Sequence, residues 1–218
     1  MVDFSLYLIT DRKQTAGRGL VETVEAALKG GVGAVQLREK DLSARELMRI
    51  GRELRVVTQR YGARLFINDR VDIALALDCD GVHLGQRSIT PRDARHLMGG
   101  KKLVGVSTHT LAEAALAEEG GADFITFGPV YWTPSKASYG EPVGVDRLRS
   151  VRERCALPLF ALGGVKKEQA AEVAGAGADG VAAISALLAS EEPEEAAATL
   201  FGAFSLHRKG RREGNRYI

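Results

Sequence analysis

Eight apolar runs of four to six residues, each followed by a longer segment of helical period, most constrain what this chain can fold into. Continuous apolar runs mark strands buried on both faces, and helical segments between them supply the crossovers that parallel strands need. The runs fall at residues 6–10, 34–38, 64–67, 81–84, 103–106, 124–127, 159–162 and 180–183. The helical segments fall at 19–29, 43–60, 70–77, 91–97, 111–119, 146–154, 167–174 and 194–206. Eight βα units in 218 residues predict an α/β fold of one domain, a single (β/α)8 TIM barrel over residues 1–206.

Local signals agree with that frame. Ser43 followed by Glu46 reads as a capping box, and Pro91 after Thr90 suits the first position of a helix. Gly-Gly-Val-Gly-Ala at 30–34, Gly-Gly-Ala-Asp at 120–123 and Gly-Ala-Gly-Ala-Asp at 175–179 each precede a strand. They are helix C-caps with tight turns at the strand N-termini, the face of a barrel that carries stability. Phosphate loops belong at the other end.

Charge narrows the function classes. Residues 207–218 hold five basic and one acidic side chain, so a formal net charge of +2 becomes −2 for the remainder. A slightly acidic body argues against nucleic-acid binding, and the basic tail reads as a solvated, disordered end. The first residues carry no basic stretch and too short an apolar run for a signal peptide or membrane span, so neither is expected. Cys79 and Cys155 stand in unrelated segments without ligand spacing, which points to a reducing, cytoplasmic setting. Homo-oligomerisation is compatible with this composition, which sets no oligomeric state.

Chemistry in a parallel barrel collects at the strand C-termini. Strand 2 ends Gln36-Leu37-Arg38-Glu39-Lys40, and alternation places Gln36, Arg38 and Lys40 on one side. Two cations and an amide aimed together make an anion site; pairing of Arg38 and Lys40 with Glu39 and Asp41 is the plainer alternative. Strand 3 ends Asn68-Asp69, where either residue could cap the next helix or Asp69 could ligate Mg²⁺. His83 on strand 4 reads as a hydrogen-bonded barrel residue, with Gln86 at the mouth. Ser107, Thr108 and His109 end strand 5, suited to a ring amine, a phosphate oxygen or the cap of the following helix.

The stretch from Gly120 to Gly144 joins a small-residue turn, strand 6 and a long polar loop after Gly128-Pro129, with Thr133, Ser135 and Lys136 within four residues. Strand 7 ends at Gly163-Gly164 and strand 8 at Ile184-Ser185, where small residues ahead of helices expose backbone N–H groups as a phosphate cup. Two anion sites on one mouth suggest two phosphorylated substrates, or a pyrophosphate leaving group facing a monophosphate.

These segments resemble the thiamine phosphate synthase and thiazole tautomerase family: YLITD at 7–11, QLREK at 36–40, FINDRVDIAL at 66–75, DGVHLGQ at 80–86, GVSTH at 105–109, GADFITFGPVYWTPSK at 121–136, FALGG at 160–164 and AAISA at 182–186. The resemblance implies an enzyme that joins hydroxymethylpyrimidine pyrophosphate to thiazole phosphate with Mg²⁺. It implies that Gln36, Arg38, Lys40, Asn68 and Lys136 hold the pyrimidine pyrophosphate and that Asp69 ligates the metal. Ser107 would contact the pyrimidine, Thr133 and Ser135 the thiazole phosphate, and Gly164, Ile184 and Ser185 the cup. Arg38, Lys40, Lys136 and Ser107 would carry catalysis. The family pattern is broken where Arg87-Ser88 stands in place of a second metal-binding aspartate. That change favours the alternatives, a metal-independent thiazole tautomerase or a non-catalytic barrel that binds thiamine phosphates. Pro129 stands where the tautomerase carries a histidine and cannot move a proton, which favours the synthase.

Overall fold

The computed structural model describes residues 1–133 and 141–214, with side chains as far as residue 208. Eight parallel strands close in sequence order, β1 pairing with β8. They are β1 (Leu6–Ile9), β2 (Ala34–Leu37), β3 (Arg64–Asn68), β4 (Gly81–Leu84), β5 (Leu103–Thr108), β6 (Phe124–Phe127), β7 (Leu159–Leu162) and β8 (Gly180–Ala183). The helices are α1 (Leu20–Lys29), α2 (Ala44–Arg60), α3 (Val71–Ala76), α4 (Pro91–Met98), α5 (Leu111–Glu119), α6 (Gly144–Arg154), α7 (Lys167–Gly175), α8 (Ser185–Leu188) and α9 (Pro193–Gly214).

The α2 capping box is present, and Thr90 caps α4 ahead of Pro91. β2 stops short of the expected Arg38 because the Arg38 N–H goes to the Thr10 hydroxyl at 2.9 Å instead of a ladder carbonyl. Two elements were not expected, the four-residue α8 and a 3-10 turn at Arg12–Gln14. Both are too short to show a period. α9 runs beyond the expected end at Leu206 to Gly214, through Arg and Lys residues that are good helix formers.

Two apolar layers hold the barrel. One lies between strands and helices; the other plugs the interior with Phe4, Tyr7, Phe66, Phe124 and Phe160. Edge-to-face ring contacts tie this floor together, with centroids 5.3 Å apart for Phe66 and Phe124 and 5.5 Å for Phe124 and Phe160. The rings fit because glycines face them: a Cβ at Gly81, Gly105 or Gly180 would lie 2.6, 2.4 or 2.3 Å from Phe66, Phe124 or Phe160. The floor fills the barrel from below and leaves polar side chains only near the mouth.

The strand N-termini carry a repeated clamp. The Asp179 carboxylate accepts from Leu159 N at 3.1 Å and from Arg152 at 2.8 Å. Asp80 accepts from Leu65 N at 2.9 Å and from Arg55 and Arg64, and Asp123 from Val104 N at 2.7 Å and from Arg95. Each aspartate ahead of one strand thereby closes an N–H in the first two residues of the strand before it and draws in an arginine from the surrounding layer. Asp179→Ala orphans the Leu159 N–H and takes the charged partner from Arg152, which keeps the Leu157 and Cys155 carbonyls, and the expected cost is about 2 kcal/mol, which lowers Tm by about 4–8 °C. Asp179→Asn keeps the acceptor and should recover about half of that in the same thermal melt.

Candidate active site

Glu39 and Asp41, the alternative partners for the strand 2 cations, are taken by a different loop. Arg12 donates to Glu39 at 3.0 Å and bidentately to Asp41 at 2.6 and 2.9 Å, and Lys13 pairs with Asp41 at 2.8 Å. The Arg12 guanidinium and the Lys13 ammonium hold the Asp41 carboxyl well below the usual carboxylate range. Among the described residues, Arg38 and Lys40 therefore form no ion pair. They lie close enough that Arg38 lowers the affinity of Lys40 for its proton, with desolvation adding to the effect and Asp69 opposing it. Two neighbouring cations at a strand end concentrate positive potential there.

Across from them, neither Asn68 nor Asp69 caps α3 with its side chain. Asp69 sits at φ 61°, a left-handed conformation that Asp tolerates better than most residues. One carboxylate oxygen accepts from Asn68 Nδ2 at 2.7 Å; the other accepts from the Ser88 hydroxyl and, at 3.4 Å, from Gly85 N. The Ser88 hydroxyl accepts in turn from Gly85 N at 2.7 Å, and Ser88 N closes the turn onto Gly85 O at 3.1 Å. Ser88 thus supports Asp69 directly. Arg87, on the same turn, is exposed and acts on Lys40 through its charge. Sequence reasoning gave Arg87 no role beyond standing near a missing carboxylate.

The loops after strands 6 and 7 lie against each other. Val130 N donates to Leu162 O at 2.8 Å and Tyr131 N to Gly163 O at 3.0 Å, so the start of the strand 6 loop lies on the strand 7 loop. Gly163 and Gly164 have φ of 94° and 69°, and a Cβ at Gly164 would stand 2.7 Å from Tyr131 Cβ and 2.9 Å from Trp132 O. Only glycine meets both demands. The N–H groups of Gly164 and Ser185 find no acceptor among the described residues. Ile184 occupies the position before α8, Ser185 is exposed at its first turn, and Thr133 is half-buried just after Trp132. Ser135 and Lys136 lie outside the described residues.

Further polar side chains stand on the aromatic floor. Gln36 is buried and donates to the Tyr7 hydroxyl at 3.0 Å. That hydroxyl lies 3.3 Å from His83 Nδ1, and His83 Nε2 lies 3.0 Å from Ser107 Oγ. Ser107 caps no helix, a task that falls to Thr110. Gln86 reaches Ser107 O at 2.9 Å and Glu113 at 3.0 Å. Tyr7 was missed by sequence reasoning; its signal was its inward place on strand 1 opposite His83 and Gln36.

Burial pushes the His83 pKa down to about 3; the Asp69 charge opposes this and that of Arg38 assists it. A folded pKa below the unfolded value near 6.5 means that the unfolded chain takes up the proton first, so stability is lost as pH falls below about 6.5. Urea unfolding at pH 5 should show about 2 kcal/mol less stability than at pH 7 from this group alone. His83→Gln should flatten that dependence, whereas an unchanged slope would assign it elsewhere.

Among the described residues no helix is long and apolar enough to cross a membrane. The family model described as thiamine monophosphate synthase matches residues 6–187. A Geobacter sulfurreducens protein provisionally named a thiamine-phosphate synthase is 58% identical over 199 residues, spanning 91% of this chain and 93% of the relative. The thiamine-phosphate synthase of Clostridium novyi is 44% identical over 199 residues, spanning 91% and 98%. Among solved structures, the thiamine phosphate pyrophosphorylase from Pyrococcus furiosus superposes with a TM-score of 0.85 at 38% identity, covering 94% of this chain and 96% of that one.

Proposed function

This chain belongs to the thiamine monophosphate synthase family, and from that premise we propose how the two anion sites on its mouth divide the reaction. It is a transferase of thiamine biosynthesis that joins hydroxymethylpyrimidine pyrophosphate to thiazole phosphate, giving thiamine phosphate and pyrophosphate. The observation that carries the assignment is the unpaired Arg38 and Lys40 facing Asp69 on the same mouth as the Gly164 and Ser185 N–H groups.

Arg38 grips pyrophosphate oxygens bidentately, Lys40 adds a compact charge, and Gln36 and Asn68 supply amides. The cup holds the thiazole phosphate through backbone N–H groups, with Thr133, Ser135 and Ile184 beside it. Ser107 orients the pyrimidine between them. In the reaction the C–O bond to pyrophosphate breaks with its electron pair leaving on oxygen. The thiazole nitrogen lone pair then forms the new bond to the pyrimidine methylene carbon. Arg38, Lys40 and Lys136 stabilise the charge that develops on the leaving group. The chain needs no nucleophile and no proton shuttle for this, in keeping with Pro129.

Asp69 has the chemistry of a Mg²⁺ ligand, since that ion is commonly held by one or two carboxylates together with substrate phosphates. Its carboxylate is not used as a helix cap and stands beside the phosphate-binding cations. Among the described residues no group of three or more carboxylate, imidazole or thiol ligands exists, so the fit is to a shared site and not to a protein cage. Asp69 would hold the ion, with Ser88 as its neutral neighbour, and the bound ion would neutralise the departing pyrophosphate. The cytoplasmic setting expected from two lone cysteines, both free and buried, belongs to the same proposal.

The test is the coupling assay with and without Mg²⁺. Thiamine phosphate and pyrophosphate should appear in equal amounts and only with the metal. Binding of thiamine phosphate without any product would make the chain a sensor. Metal-independent aromatisation of the thiazole carboxylate tautomer would make it a tautomerase.

A further inference from the structure

The chain of contacts through Gln36, Tyr7, His83 and Ser107 has a direction, set by counting protons. Tyr7 is fully buried in the aromatic floor and its phenol has one proton. The Gln36 amide already donates to its oxygen. If His83 Nδ1 also brought a proton there, the Tyr7 proton would have no acceptor among apolar rings, a loss typical of an unmade buried hydrogen bond. Tyr7 therefore donates to Nδ1. The imidazole is buried against Tyr7 and Phe124 and both its nitrogens face hydroxyls, so it is neutral, with one N–H, which must be on Nε2. That N–H donates to Ser107 Oγ, which also accepts from the Thr126 hydroxyl at a long 3.5 Å. With its lone pairs engaged by two donors, Ser107 has its own proton left to give, and the direction remaining for it is the mouth.

We propose that Gln36, Tyr7 and His83 form a relay that fixes Ser107 as a hydrogen-bond donor to the substrate, so that the site selects an aromatic ring nitrogen and not an amino N–H. Tyr7 and His83 are positioning residues in this scheme and Ser107 is the specificity-determining contact. The assignment rests on the synthase reading for the ligand, a substituted aminopyrimidine, but the direction of the relay stands on the protein alone.

Two measurements separate those levels. Long-range ¹H–¹⁵N NMR of the wild-type protein at pH 7, with His83 assigned through contacts to Tyr7 and Ser107, should find the Nε2–H tautomer. The Nδ1–H tautomer would reverse every donor in the chain and overturn the relay, whatever the enzyme makes. The second measurement is binding of hydroxymethylpyrimidine pyrophosphate and of analogues in which one ring nitrogen becomes C–H or the amino group becomes methyl. One ring-nitrogen replacement should weaken binding to wild type by about 10–100-fold. Ser107→Ala should have lost that discrimination entirely, and Tyr7→Phe, which keeps the ring but not the tautomer lock, should retain only part of it. Ser107-dependent discrimination against the methyl analogue alone would make Ser107 an acceptor and refute the proposal. Failure of wild type to bind any pyrimidine would instead refute the synthase reading, and the tautomer would still decide the relay.

Discussion

Arg38→Ala lowers kcat for coupling by about 10²–10³-fold, the loss expected when a group aimed at developing charge is removed from a water-poor site. The protein should remain folded. Among the described residues Arg38 makes no side-chain hydrogen bond or ion pair, so nothing that supports the barrel is lost with it. Its stability should lie within about 0.5 kcal/mol of wild type, as for substitutions that touch no structural contact. Arg38→Lys should recover only part of the rate, because an ammonium supplies charge but not the bidentate fork. A drop in Tm that matches the activity loss would show Arg38 to be a structural residue.

Asp69 gives the second large effect, expressed in the metal dependence. Asp69→Asn can keep the left-handed backbone and the contacts to Ser88 and Gly85 while removing the charge. Half-saturation by Mg²⁺ should then rise at least about 10–100-fold, the scale seen when even a ligand's supporting partner is lost. Mn²⁺ binding followed by magnetic resonance reports the same change without turnover. Ser88→Asp tests the converse. A second carboxylate against Asp69 should tighten Mg²⁺ binding, and the gain should vanish in the double variant with Asp69→Asn. Equal metal affinity in all four proteins would remove Asp69 from the metal site.

Much of the barrel was readable before any coordinate because its determinants are local. β4, β6, β7 and β8 fall where the apolar runs place them, and Ser43, Glu46, Thr90 and Pro91 act at the helix starts as their side-chain chemistry dictates. The differences lie where tertiary contacts decide. β2 ends one residue early because the Thr10 hydroxyl, just past β1, captures the Arg38 N–H. The four residues of α8 carry no periodic signal.

The site divides the same way. Alternation placed Gln36 and Arg38 toward the interior and mouth, but whether Arg38 and Lys40 were neutralised depended on Arg12 and Lys13, more than twenty residues away, taking Glu39 and Asp41. Ser88 read as a carboxylate lost, although its hydroxyl supports the aspartate that remains. His83 was legible as a hydrogen-bonded barrel residue, but its partners on strands 1 and 5 were not, because no spacing in the sequence encodes them.

The claim that joins these observations is that one mouth holds a pyrophosphate and a monophosphate at the same time. Titration calorimetry with Mg²⁺-pyrophosphate and with thiazole phosphate, each alone and each with the other saturating, tests it most directly. Both should bind one-to-one, each should still bind when the other is present, and Arg38→Ala should weaken pyrophosphate while leaving thiazole phosphate unchanged. Mutually exclusive binding, with Arg38→Ala weakening both ligands alike, would reduce the mouth to a single anion site and contradict the reaction assigned to it.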